Sequence, residues 1–323
     1  MAGAEYSASA APRREYFNSR NGRSRAAWSQ LRNRQAAFAH KSMPSRSDIP
    51  FEALVAQERM GDPQFARLLA RGIAVLRCFT HQDNSLGNAD IRRRTGLPAA
   101  TVFRLTYTLN LLGYLQYQAG TQRFELGSAV LSIGYPKLAH LQIRAQALPH
   151  MRKLAERYRA SVNLAVADRL SMVYVESVLV DDLKRYRADI GYTQPILPTA
   201  VGRAYLAALT KREREPILNR LRLWSPAAMK KFGPSVETAN ASLRERGFCT
   251  SLGEADRDVL GVAVPLRREP GADVLVVNCS IVAPQQTPEF VVRSIGPALV
   301  KTVRRIEQAR DASLRVGNPS KGK

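Results

Sequence analysis

The chain has 323 residues, 45% of them hydrophobic, and a formal net charge of +22. That length leaves room for two domains with sizeable cores, and the charge favours a polyanionic partner, because each Lys or Arg set on a phosphate releases a counterion. Cys78, Cys249 and Cys279 form no Cys-x-x-Cys pair and His40, His81, His140 and His150 lie scattered, which argues against a disulfide framework or a histidine-built metal centre and fits a reducing cytoplasm. No apolar run is long enough for a bilayer, and the start lacks the apolar core of a secretory signal.

Residues 1–60 are rich in Arg, Ser, Ala and Asn and lack aliphatic periodicity, the pattern of a disordered basic arm. Their composition superficially resembles a transit peptide. A phosphate-contacting arm and an upstream start codon are the plainer readings; Met43 and Met60 both precede the folded region, so the native start, before or after 1–42 or 1–59, stays open. Charge does not single out a DNA-reading segment. Residues 1–60 carry net +5 and residues 61–127 net +4, leaving +13 beyond them.

From Phe65 the pattern turns helical. Phe65, Leu68, Leu69, Ile73, Leu76 and Phe79 recur at spacings of three and four, giving a first helix with one face for a core. A second helix spans Asn88–Arg94, with Asp90 in its first turn and Gly96 at a left-handed C-terminal position. Pro98 opens a third helix whose Val102, Leu105, Leu109 and Leu112 share one face; Gly113 stops it. Leu115, Tyr117, Phe124 and Leu126 then alternate with polar residues around Ala119-Gly120-Thr121, a hairpin. Helix, turn, helix, hairpin is the order of a winged helix-turn-helix, which lays its recognition helix in the DNA major groove.

Residues 128–158 read as a helical linker that Pro136 and Pro149 break into pieces. Strands follow at Val162–Ala167 and Met172–Ser177, helices at Ala200–Leu209, Arg214–Leu221 and Ser235–Arg246, then strands at Val259–Leu266 and Val274–Val282. A closing helix spans Phe290–Ala309, bent or restarted at Pro297, and a loose polar tail follows Ala312. The expected divisions are a 1–60 arm, a 65–127 DNA-binding domain, a 128–158 linker, a 159–310 effector domain and a 311–323 tail. The fold class is α+β.

Three stretches bear on chemistry. On the recognition helix, Arg104 is the best candidate for a guanine or phosphate, and Thr101 for a phosphate or a thymine methyl. Pro98, Ala99, Ala100 and Thr108 border the same approach. Arg92, Arg93 and Arg94 would straddle the backbone, with Gln122 and Arg123 of the wing in an adjacent groove; the plain alternative for a single arginine is a solvated face. In the stretch 191–209, Pro198 and Thr199 precede Ala200, Val201 and Gly202, whose backbone N–H groups suit a carboxylate, although small residues also serve tight helix packing. Asn278 and Ser280 sit inside an apolar strand and need partners if buried, either a ligand or neighbouring backbone. Glu254, Asp256 and Asp258 cluster before a strand without a histidine companion for a metal or general-base site. No Gly-x-Ser-x-Gly, P-loop or nucleophile–base set is present.

RGIAVLRCF at 71–79, RRTGLPAATVFRLTYTL at 93–109 and LLGYLQ at 111–116 resemble the DNA-binding domain of the IclR family of bacterial transcription regulators. PTAVGRAYLAAL at 198–209, EADRDVLGVAVPL at 254–266 and NCSIVAP at 278–284 resemble its effector domain, so the likeness runs from about residue 65 to 309 in the family's order, with a flavour of its regulators of aromatic-acid catabolism. The resemblance implies a GAF-like effector domain with an antiparallel sheet and no cofactor. It implies a small-molecule effector, a carboxylate such as an aromatic or keto acid. It further implies a homodimer or homotetramer on a near-palindromic double-stranded operator, with RNA polymerase as a further partner, in the bacterial cytoplasm at the nucleoid, away from membranes. By matching position, the pocket would be lined by Leu183, Tyr186, Ala200, Val201, Asp256 or Asp258, Pro265, Asn278 and Ser280. The sequence departs from the family at Gly87, where a hydroxyl N-cap is usual, at Asn88, at Ala100, which offers only a methyl, and at Asp258, where glycine is common. The rival readings are an enzyme built on the C-terminal domain and a non-specific structural DNA binder; effector, operator sequence and sign of regulation are not written in the chain.

Overall fold

Helix α1 (Arg67–Arg77), α2 (Asn88–Thr95) and α3 (Ala99–Leu111) lead into a hairpin of β1 (Leu115–Gln118) and β2 (Arg123–Leu126). The computed structural model describes residues 62–179, 189–269, 271–282 and 286–316; the expected arm over 1–60 lies outside them, as do Leu183 and Tyr186. Gly96 adopts φ +70° at the end of α2, a left-handed conformation that residues with a β-carbon rarely take, and so turns the chain into α3. Pro98 stands at the N-cap of α3, one place before the position expected for it. Val75, Ile91, Leu97, Val102, Leu105, Leu109, Leu115 and Phe124 form this unit's core.

Two expectations about apolar faces fail here. Leu68, Leu69 and Ile73 of α1 are exposed, and Leu112, at the C-cap of α3, is exposed rather than in line with Val102, Leu105 and Leu109. The periodicity is real, but the face it makes is larger than this chain's own core covers.

The linker forms α4 (Ala129–His140) and α5 (Ile143–Tyr158). It breaks at Leu141, whose ψ of 72° leaves the helix, and not at Pro136 or Pro149, which both lie inside helices. A proline forfeits one backbone bond, and the surrounding turns hold the helix through it. No residue of α4 is buried.

The C-terminal region is a six-stranded antiparallel sheet in the order β5 (Thr193–Pro195), β4 (Ser171–Val178), β3 (Ser161–Asp168), β8 (Leu275–Val282), β7 (Val259–Pro265), β6 (Cys249–Leu252). α5 and the closing helix pack on one face through Met151, Leu154, Val162, Leu164, Val277, Leu299 and Val303. The other face is covered by α6 (Ala200–Ala208), α7 (Lys211–Trp224), α8 (Pro226–Phe232) and α9 (Ser235–Arg246) through Met172, Leu206, Leu218, Phe232, Ala263 and Val276. β3 is covered on both sides, so its burial is continuous rather than alternating. The short elements β5, β6 and α8 carry too little periodicity to be read from sequence. The closing helix begins as α10 (Pro288–Phe290), passes through a π-helical turn (Val291–Ile295) and restarts as α11 (Gly296–Val316). A β-carbon at Gly296 would collide with the Phe248 ring. α11 runs past Ala312, where a loose tail was expected, because the Arg310 guanidinium donates to the Arg267 carbonyl at 2.9 Å and pins its end to the strand region.

Candidate functional site

The helix-turn-helix spends much of its charge on itself. Arg94 donates to both oxygens of Asp83, at 2.6 and 2.8 Å, and to the Cys78 carbonyl at 2.7 Å. Hydrogen bonding from Arg94 holds the Asp83 carboxyl down at about 2. Arg123 donates to the Ser85 hydroxyl and carbonyl and to Asp90, at 2.9, 2.8 and 3.0 Å. Asp90 also accepts from the Gly87 N–H at 3.2 Å, which supplies the capping that Gly87 cannot supply from a side chain, and this bond leads the causes that hold its carboxyl low. Arg94 and Arg123 therefore tie α1, α2 and the wing together, an assignment different from the phosphate contacts expected of them.

Arg92, Arg93, Arg104, Pro98, Ala99, Ala100, Thr108 and Gln122 are exposed and Thr101 is half-buried. Arg93 reaches Asp90 at 2.7 Å. The Thr108 hydroxyl donates back to the Arg104 carbonyl at 2.8 Å, which occupies its proton within the helix. The Asn110 oxygen accepts from the Tyr117 N–H at 2.9 Å and locks the end of α3 to the wing, where Gln122 takes φ +53°. Sequence reasoning passed over Phe103 and Tyr107, both exposed on α3; a helical wheel already places them away from Val102 and Leu105.

In the C-terminal region one sheet face turns polar at one end. Asn278 and Ser280 of β8 share this face with Ser161 and Asn163 of β3, Ser177 and Tyr174 of β4, and Gly261 of β7. Asn163 donates to the Ser161 hydroxyl at 3.0 Å and accepts from Ser177 at 2.7 Å. The Asn278 amide donates to the Tyr174 hydroxyl at 3.3 Å and to Ser280 at 3.1 Å, while its buried oxygen has no partner among the described residues. Burial drives the Tyr174 phenol upward, so it stays a neutral donor and acceptor. The start of α6 closes this end: a β-carbon built at Gly261 would sit 3.6 Å from both the Ala200 Cβ and the Ser280 Oγ.

Thr199 caps α6 by accepting from the Gly202 N–H at 3.2 Å, so of the three N–H groups expected to face a ligand only those of Ala200 and Val201 escape this cap. Gly202 is needed for packing, since a β-carbon there would collide with the Ile196 backbone. Asp256 is exposed in the loop before β7, and its carboxylate accepts from the Asp258 N–H at 3.0 Å. Pro265 pairs with Val276 on the same face of the sheet, one same-face position along β7 from Ala263, the partner of Asn278. Glu254 pairs at 2.9 Å with Arg203, a buried α6 residue that also holds the carbonyls of Leu197 and Thr250. Cys249 and Cys279 are buried and their thiols are pushed up to about 12.

Side chains of the two regions meet among the described residues. Arg77 of α1 pairs with Asp168 of β3 at 2.8 Å. The His81 ring lies 4.8 Å from that of Tyr192, which lies 5.8 Å from that of Tyr174, the partner of Asn278.

Two family models match. The "IclR helix-turn-helix domain" covers residues 68–119 and the "Bacterial transcriptional regulator IclR C-terminal" covers 136–308. The chain is 33% identical over 256 residues to the HTH-type transcriptional regulator TsaQ1/TsaQ2 of Comamonas testosteroni, covering 78% of this chain and 90% of that one. It is 28% identical to the Pca regulon regulatory protein of Pseudomonas putida, over 68% of this chain and 76% of that one. Among solved structures, an IclR family transcriptional regulator from Brucella abortus superposes with a TM-score of 0.71 at 41% identity, covering 83% and 99% of the two chains. An IclR homolog from Microbacterium hydrocarbonoxydans complexed with 4-hydroxybenzoate gives 0.57 at 25% identity, covering 76% and 99%.

Proposed function

The chain belongs to the IclR family of DNA-binding transcriptional regulators, and from that premise we propose that it binds a near-palindromic operator as a homodimer or a pair of dimers, under control of a small carboxylate metabolite held at the polar end of its C-terminal sheet. It is a regulator and not an enzyme, as the family is. Residues 65–127 read the operator and residues 159–310 take the effector, in the cytoplasm at the nucleoid.

The observation that carries the effector reading is the buried oxygen of Asn278, without a partner among the described residues, beside the Tyr174 and Ser280 hydroxyls and the start of α6. An unsatisfied buried polar atom costs about 1–3 kcal/mol, which a bound donor recovers. Hydroxyls and helix N–H groups donate to the oxygens of an anion, and the Asn278 oxygen accepts from a ligand hydroxyl. A hydroxylated aromatic acid carries both, as 4-hydroxybenzoate does in the Microbacterium relative. Leu183 and Tyr186 join this site on the strength of the family resemblance alone.

The dimer reading rests on unspent apolar surface. Leu68, Leu69 and Ile73 of α1, which carries the periodicity of a packed face, and Leu131, Ile133 and Tyr135 of α4 are all exposed. A second copy of the chain would bury them. Footprinting with the full chain tests the reading: a discrete, near-symmetric protected site whose affinity falls steeply with salt is expected. Uniform protection without sequence preference would favour a structural DNA binder instead.

A further inference from the structure

The outward face of α3 is apolar where a recognition helix ordinarily carries amides and cations. At 100° per residue, the buried Val102, Leu105, Thr106 and Leu109 define the inward face. Ala100, Arg104, Tyr107 and Leu111 then point directly away from it, with Phe103 beside Tyr107 one turn earlier. Phe103 is 63% exposed and Tyr107 60%. Few hydrogen-bonding groups remain for reading bases. Asn110 is bonded to the wing and the Thr108 hydroxyl to the helix backbone. Arg104, Thr101 and the Tyr107 hydroxyl are left. Arg104 on this face and the exposed Arg92 and Arg93 of the preceding helix α2 mark its occupant as a polyanion rather than an apolar protein surface.

In the major groove one base-edge group is apolar, the thymine C5-methyl; every other distinguishing feature is a donor or an acceptor. We propose that Phe103 and Tyr107 read thymine methyl groups in each operator half-site, next to a guanine taken by Arg104. Aromatic carbon buries a methyl well and gains nothing from a bare pyrimidine edge, so the pair distinguishes thymine from cytosine by shape and hydration. The i, i+4 spacing sets the two rings side by side along the groove, which places the methyl groups on neighbouring base pairs. This inference rests on the reading of α3 as the operator-reading helix.

The experiment uses the full chain and two random duplex pools, one made with thymidine and one with deoxyuridine, which lacks only the methyl. The thymidine pool is expected to yield a shared site with thymines at a fixed distance from a guanine. Replacing those thymines singly with deoxyuridine should weaken binding about fourfold each, the worth of one buried carbon. The same replacements should have no effect on Phe103→Ala or Tyr107→Ala, each acting on its own base. If a shared site emerges but deoxyuridine binds as well as thymidine, the aromatic pair does not read methyls, while the operator-reading role of α3 stands. If neither pool yields a shared site, the operator reading itself fails. If Phe103→Ala or Tyr107→Ala changes the oligomeric state in sedimentation and leaves the deoxyuridine effect intact, the rings belong to a protein interface and the proposal is overturned.

Discussion

The reading head and the effector end of the sheet handle polarity in opposite ways. Around α2 and α3 the cations Arg94 and Arg123 are consumed internally by Asp83, Asp90 and backbone carbonyls, and α3 turns Phe103, Tyr107 and Leu111 outward beside the exposed Arg104. At the end of β8 the polar groups face inward, and the Asn278 oxygen is left without a partner among the described residues. The first region satisfies its own hydrogen bonds and offers shape to the outside. The second withholds satisfaction until something enters. A net charge of +22 thus says little about where DNA is read, and a buried orphan says more about a ligand than an exposed acidic cluster does.

The sharpest way to break this contrast is to exchange the roles of two arginines. Arg104→Ala should leave folding intact and weaken the operator complex by about 10–100-fold in a gel shift, the worth of a bidentate base contact. Arg94→Ala should instead lower the melting temperature of the DNA-binding region. Equal operator losses with unchanged melting in both variants would erase the distinction between scaffold and reader.

Asn278→Leu keeps the volume and removes the amide. Free-protein operator affinity should be unchanged while the response to aromatic carboxylates disappears, measured as the shift in operator Kd with and without ligand. Val201→Trp is a poorer probe, because Val201 is fully buried in the α6 core and a larger ring would strain it.

Asp83→Asn should cost about 2 kcal/mol in denaturant unfolding at pH 7, since it leaves Arg94 without its anionic partner. The carboxyl's folded value, about 2, lies below its ordinary 3.8. The stability it contributes is thus fully present above about pH 4 and is lost as pH falls from there through 2. The gap between wild type and Asp83→Asn should therefore close over that window; a gap unchanged at pH 2 would show that the pair is not the cause.

The smallest effect concerns coupling. Tyr192→Leu removes the ring between His81 and Tyr174. It should leave both ligands bound and reduce the effector-induced change in operator affinity about threefold to tenfold, a fraction of a typical coupling energy. An undiminished change would remove this contact from the path.

The helix-turn-helix was legible because its punctuation is local: Gly96, Pro98 and Gly113 set the turns within one short stretch. The roles of Arg94 and Arg123 were not, because their partners Asp83 and Ser85 lie 11 and 38 residues away and meet them only after folding. Asn278 and Ser280 stood out as polar residues in an apolar strand. Ser161 and Asn163 carried the same signal, but only the register that sets Ser161 opposite Ser280 and Asn163 opposite Asn278 gathers them into one site. The exposed stripe of α1 shows a limit of periodicity: it marks a face to be covered without saying whether the cover comes from the same chain.

The central claim is that a small carboxylate at the Asn278 end controls an operator reader. The direct test is to titrate operator DNA with the full chain, with and without a panel of aromatic carboxylates that includes 4-hydroxybenzoate. The account predicts that at least one of them shifts operator Kd by fivefold or more, about 1 kcal/mol of coupling, and that Asn278→Leu abolishes the shift. A response that survives Asn278→Leu unchanged would contradict it.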